Sequence, residues 1–202
     1  MGRRTSAKEL RRRQGSRKEL RAVVVFSEGE TECEYIEALM RLPDVANNTA
    51  LTLEIDPDRG LSPLTLVQRA VERLKEPEVN ECWCVFDVEW PQNHAKLAEA
   101  RSLARSKNIG VAISNPCFEL WLILHYESQT GFLDTSIAQR RSQELGRYKG
   151  KHIDAGPYLS KRHVAVSRAD ALETRHEHNN TTFPHDNPSS GMPNLLRAIG
   201  AV

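Results

Sequence analysis

Val23-Val24-Val25-Phe26-Ser27-Glu28-Gly29-Glu30-Thr31-Glu32 is the stretch on which the fold turns. Its first four residues are β-branched or aromatic, with no polar alternation, which reads as a strand buried on both faces. The acids that follow open a helix predicted from Thr31 to Arg41, with Tyr35, Ile36, Leu39 and Met40 on one side. The same pattern returns about fifty residues on, where Trp83-Cys84-Val85-Phe86 runs into Asp87-Val88-Glu89. Ligands of an open parallel sheet collect beyond the carboxyl ends of its strands. Two strands ending in carboxylates therefore point to one acidic pocket. Mutual repulsion makes such a pocket costly unless a cation occupies it. Hard oxygen donors select Mg2+ or Mn2+ over zinc.

Working outward, Thr52-Leu53-Glu54-Ile55 reads as a strand and Asp56 to Gly60 as a loop. Ser62-Pro63 opens a helix, with serine as the cap and proline at the first helical position. The spacing predicts a strand over Cys82–Phe86, a helix over Asn93–Lys107 and a strand over Ile109–Ile113. Strands alternating with helices predict a mostly parallel sheet of about four strands, with helices on both faces. After Ser114 the pattern turns helical: a buried helix within Pro116–Tyr126, then Thr135–Gly146, Lys161–His176 and Met192–Ile199, with a loop over Glu177–Gly191. The expected organisation is a basic arm over residues 1–20, an α/β core over 21–126, and a helical C-terminal extension over 127–202 packed on that core.

Composition narrows the class. The chain has 202 residues, 39% hydrophobic and 27% charged, ordinary values for a water-soluble protein. No apolar run approaches the ~20 residues of a membrane span. No secretory signal is evident, so a cytoplasmic location is expected. Cys33, Cys82, Cys84 and Cys117 form no CxxC pair and read as reduced core cysteines. Residues 1–21 hold nine Lys and Arg against Glu9 and Glu19, a net of +7, so the rest of the chain carries −6. Arg11, Arg12, Arg13, Arg17 and Lys18 are candidate phosphate contacts to nucleic acid, or part of a solubilising tail.

The candidate site residues carry competing readings. Gly29 lets the backbone turn sharply off the strand. Glu32 is a metal ligand or simply a helix N-terminal acid. Asp87 and Glu89, two apart in an extended chain, point to one side and grip a cation together, or are turn acids. Glu119 sits in an apolar run where an unpaired carboxylate is expensive, so it aims at the pocket or at a cation. Ser114 offers a hydroxyl to the site or caps the next helix. His125, six residues beyond Glu119, falls on another face and reads as a satisfied core histidine. Lys149 neutralises charge on a phosphate or is a solvated loop lysine. The stretch of Arg175, His176, His178 and His185 has irregular spacing for zinc.

Glu28-Gly29-x-x-Glu32 after a strand, followed by Asp87-x-Glu89 after a later one, resembles the Toprim metal-binding pattern. Ser114-Asn115-Pro116-Cys117-Phe118-Glu119-Leu120-Trp121-Leu122-Ile123-Leu124-His125-Tyr126, together with the late Asn187-Pro188-Ser189-Ser190, resembles RloB-like proteins from about Arg21 onward. The resemblance implies a Toprim/Rossmann-like α/β fold and metal-dependent cleavage of DNA or RNA. It implies a bacterial setting in phage defence or abortive infection, beside an ATPase partner of the RloA type. It makes Glu28, Glu32 and Asp87 catalytic acids; Glu119 and Lys149 join them on the burial and charge readings above, and Glu28, Glu32, Asp87, Glu89 and Glu119 are the expected ligands of Mg2+ or Mn2+. A Toprim site has Asp where this chain has Glu89, a carboxylate set ~1.5 Å further out. The alternative function is a non-catalytic effector or partner-binding subunit with the same fold. No Walker A motif is present, so any ATP-driven step requires a partner.

Overall fold

The computed structural model describes residues 20–55 and 61–202. The basic segment with Arg11, Arg12, Arg13, Arg17 and Lys18, and the Asp56–Gly60 loop, lie outside the described residues. The elements follow one another as β1 (Arg21–Ser27), α1 (Glu30–Met40), α2 (Pro43–Ala46), β2 (Thr49–Ile55), α3 (Pro63–Arg73), β3 (Glu81–Asp87) and α4 (Leu97–Ser106). They continue with β4 (Gly110–Asn115), α5 (Glu119–Leu124), α6 (Thr135–Gly146), α7 (Gly156–Ser160), α8 (Arg162–His178), β5 (Ser189–Ser190) and α9 (Met192–Ile199).

The sheet runs in the order β2-β1-β3-β4-β5. The first four strands are parallel and β5 is antiparallel to β4. The fifth strand is a departure from the predicted four, because Ser189-Ser190 lies in a polar stretch without strand periodicity. Tertiary pairing makes it a strand: Ser190 lies opposite Ser114, and the Gly191 N–H donates to the Ile113 carbonyl at 2.8 Å. A Cβ at position 191 would come within 2.9 Å of the Ile113 nitrogen, so only glycine allows this approach.

Side chains alternate across the strands, and each face has its own helices. Val23, Val25, Trp83, Val85 and Ala112 face one apolar layer, which runs continuously into α1, α5, α8 and α9. Val24, Phe26, Cys82, Cys84 and Phe86 face the other, covered by α3 and α4. That two-sided burial explains the unbroken apolar runs. All four cysteines are free and buried. The Ser62 cap of α3 is present, its side chain accepting from the Thr65 N–H. The Pro116–Tyr126 helix is shorter than predicted, starting at Glu119, and α4 starts at Leu97 rather than Asn93. Among the described residues no helix is long and apolar enough to cross a membrane.

Strand order reverses at β1, which has β2 on one side and β3 on the other. A crevice opens at such a point, beyond the carboxyl ends of β1 and β3. Ser27 pairs opposite Val85, so Glu28 and Asp87 leave the sheet within about one residue of the same level. Asp87 pairs opposite Ser114, which brings the β4–α5 connection to the same rim.

Candidate functional site

The crevice is a cleft of about 460 Å³ lined by Glu28, Glu32, Asp87, Glu89 and Glu119, with Glu30, His94, Gln139, Gln143 and Lys151 around them. It is many times the ~30 Å³ share of one water, so a hydrated cation and a phosphate group fit together. Two strand ends and two helix starts deliver four of these acids. Glu28 follows β1, Asp87 ends β3, Glu119 begins α5, and Glu32 sits in the first turn of α1.

Packing fixes the two helices that carry acids. Tyr35 of α1 meets Phe118, Trp121 and His125 edge-on, with ring centroids 5.8, 6.1 and 5.6 Å away. The aromatic cluster holds the α1 turn bearing Glu32 against the start of α5 bearing Glu119. His125 is a satisfied core histidine, with Nδ1 2.8 Å from the Trp121 carbonyl and Nε2 3.2 Å from the Tyr35 hydroxyl. Burial lowers its pKa to about 4, so it is a neutral packing element.

Gly29 has a different role from the predicted sharp turn. Its φ of −102° and ψ of 157° are open to any residue. What it supplies is space, since a Cβ there would lie 2.0 Å from Oε2 of Glu32. The Glu32 carboxylate folds over the glycine, and that is the physical reason for the Glu-Gly-x-x-Glu order. Asp87 and Glu89 also differ from the expected extended pair. Val88 turns into the core, and Glu89 adopts a left-handed φ of 65°. The Val88 N–H donates to the Ser114 carbonyl (2.9 Å) and the Glu89 N–H to the Pro116 carbonyl (2.8 Å). Backbone bonds to the next loop, and not strand geometry, therefore aim Glu89 at the cleft.

The acids repel one another in a poorly hydrated place. Burial pushes Glu32 up to about 7, reinforced by Glu119 and Glu28 and opposed by backbone N–H groups and Lys151. Burial raises Asp87 well above the usual carboxylate range, and the charges of Glu32, Glu119 and Glu89 raise it further, against the Phe118 N–H. Glu119 is raised by burial first, with Cys117 and its own backbone N–H opposing and Glu89 adding to the rise. Oδ1 of Asp87 is buried without a hydrogen-bond partner, an arrangement that leaves an oxygen lone pair for a cation. The donor chemistry fits Mg2+ or Mn2+. Among the described residues, however, no three His, Cys, Asp or Glu side chains stand in a ligating arrangement. A cation held by three of these side chains would need side-chain rotation within the cleft, whereas Mg2+ commonly takes one or two carboxylates and keeps its other waters.

Lys149 is exposed and not among the residues lining the cleft; Lys151 lines it instead. The loop is pinned to α1, with the Thr31 hydroxyl donating to the Lys151 carbonyl (2.9 Å) and the Ile153 N–H donating to Glu34 (2.7 Å). The Tyr-Lys-Gly-Lys-His pattern gave no means of choosing between the two lysines. Ser114 neither caps α5 nor lines the cleft, and its hydroxyl is buried without a partner. His176 has Nε2 2.9 Å from the Pro188 carbonyl, a structural contact. Sequence reasoning missed His94, whose Nε2 lies 3.6 Å from Oε1 of Glu28. Its N–H donates to the Val88 carbonyl (3.0 Å), which folds the loop back over the cleft. The sequence pattern puts His94 in the first turn of a helix, where a lone histidine carries no ligand signal; in the structure it lies in the loop before α4.

A family model, RloB-like protein, matches residues 23–199. The chain belongs to the RloB-like family. Neither the curated proteins nor the solved structures gave a match. The match takes in β2 to β5 and β1 from Val23 on, and Glu28, Glu32, Asp87, Glu89 and Glu119 of this RloB-like chain all fall inside it.

Proposed function

We propose that this RloB-like protein is a metal-dependent nuclease of the Toprim type. It hydrolyses phosphodiester bonds of DNA or RNA in the bacterial cytoplasm, as part of phage defence, and works beside an ATPase partner. The observation that carries this reading is the convergence of five carboxylates at the β1/β3 crevice, one with a buried, unpartnered oxygen. A divalent cation, when bound, neutralises charge on a phosphate and makes water more acidic. Glu28, Glu32, Asp87, Glu89 and Glu119 would hold it. Lys151, at the mouth, places a positive charge where a phosphate oxygen enters. Glu28 and His94 together orient a polar group at the open side, by hydrogen bonding.

A second reading is a non-catalytic effector or partner-binding subunit. The absence of a ligating triad among the described residues, and the left-handed Glu89 in place of Asp, favour it. Incubation of the purified protein, alone and with its ATPase partner, with single- and double-stranded DNA and RNA in Mg2+ or Mn2+ separates the two. The nuclease reading expects cleavage that Asp87→Asn abolishes. No cleavage under any of these conditions, or cleavage that survives Asp87→Asn, overturns it.

A further inference from the structure

Trp90 and Phe132 stand in the open. Trp90 is 36% exposed and Phe132 60%, whereas the other two tryptophans, Trp83 and Trp121, are buried. Their rings meet edge to face, centroids 5.3 Å apart at 85°. Single exposed apolar residues need no explanation, but two abutting aromatics do. Their place is next to the acidic cleft. Trp90 directly follows Glu89, a cleft residue. Its backbone is clamped to α6, its N–H donating to the Thr135 hydroxyl (2.9 Å) and its carbonyl accepting from the Thr135 N–H (3.1 Å). Gln139, one helical turn or ~6 Å along α6 from Thr135, also lines the cleft. On the Phe132 side, Asn187 bonds both the N–H and the carbonyl of Leu133, at 2.9 and 2.8 Å. The two rings are thus held at the surface by backbone bonds on either flank.

We propose that Trp90 and Phe132 form a base-stacking platform beside the cleft, and that the substrate is single-stranded nucleic acid or an unpaired stretch of a folded one. This inference rests on the nuclease reading for its occupant. Charge argues for it. Among the described residues, six carboxylates line the cleft against one lysine, Lys151, so the phosphate backbone gains little from these walls. Before a cation is bound, affinity close to the site comes from the uncharged part of a nucleotide. A base in a duplex has both faces covered by its neighbours, while an unpaired base offers its face to an aromatic ring. Gln139 and Gln143 add amide donors and acceptors alongside, which suit base edges as well as phosphates.

The test is binding of the full-length protein to a fluorescein-labelled oligothymidylate or oligouridylate, against a hairpin duplex of equal length. It is run in EDTA, where no chemistry occurs, and at about 0.3 M salt, which weakens phosphate contacts by the basic N-terminal segment. Single strands should bind more tightly than the duplex and quench the fluorescence of the exposed Trp90. Trp90→Ala and Phe132→Ala should each weaken single-strand binding roughly five- to 150-fold. Trp90→Phe should retain most of it. Divalent-cation binding and melting temperature should stay unchanged in Trp90→Phe and Phe132→Ala, which a merely structural strut would not allow. Equal binding of single strand and duplex overturns the proposal, as does unchanged single-strand affinity in Phe132→Ala and Trp90→Ala. The nuclease reading fails separately: if Trp90-dependent binding holds but no divalent cation yields cleavage, the platform stands and the nuclease does not.

Discussion

Replacing Glu32 by Gln removes one ionisable group from the cleft and almost nothing else in volume. Burial raises the Glu32 carboxyl from 4.5 to about 7. Between those values the folded state holds a proton that the unfolded chain has released, so stability falls as pH rises through the window. At 1.36 kcal/mol per pKa unit the whole fall is about 3 kcal/mol. Glu32→Gln should therefore match the parent near pH 4.5 and exceed it by up to about 3 kcal/mol at pH 8. In a chain of this length that is a rise of roughly 6–12 °C in melting temperature. His125 acts in the opposite sense. Its folded pKa is lowered to about 4, so the unfolded state binds the extra proton and stability rises between about pH 4 and 6.5. The raw curve of the parent is accordingly shallow, and the quantity to measure is the difference between the two proteins. Urea titrations from pH 4.5 to 8 give it directly. Parallel curves across that range, within about 0.5 kcal/mol, would refute the claim that an ionised Glu32 strains the metal-free cleft. Millimolar Mn2+ at pH 8 should then raise the melting temperature of the parent more than that of the variant, because only the parent regains what the ionised cluster loses.

Gly29→Ala should fold normally, since its φ is unrestricted, yet displace the Glu32 carboxylate; Mn2+ titration should show at least a tenfold loss of affinity with a melting shift under ~1 kcal/mol equivalent. Lys151→Ala should lower cleavage while Lys149→Ala leaves it unchanged, and the reverse order would return the assignment to Lys149. His125→Ala should cost about 3–5 kcal/mol in denaturant melts, from a cavity among Tyr35, Trp121 and Tyr158 plus two stranded hydrogen-bond partners; a cost under 1 kcal/mol would contradict its packing role. Glu89→Asn suits the left-handed backbone, so stability should change by less than ~0.5 kcal/mol while cation affinity drops.

The sequence by itself determined the layered α/β core and the level at which its acids emerge. Unbroken apolar runs such as Val23–Phe26 are legible because burial on both faces leaves no polar alternation. The acids following β1 and ending β3 are legible because, in a parallel sheet, both strands must end at the same edge. The Glu119 carboxylate stood out against its apolar neighbours for the reason that burying it alone is expensive. Only the tertiary structure decided the rest. The two-residue strand β5 owes its existence to a partner more than seventy residues away. Whether Lys149 or Lys151 lines the cleft is settled by hydrogen bonds to α1, and the aim of Glu89 by backbone bonds to the β4–α5 loop. His94 reaches Glu28 because α4 starts only at Leu97, which leaves His94 in the loop rather than in the helix the sequence predicted. Local propensity and hydrophobic pattern are short-range properties of the chain. Loop placement is fixed by bonds between segments distant in sequence, and those exist only once the sheet has assembled.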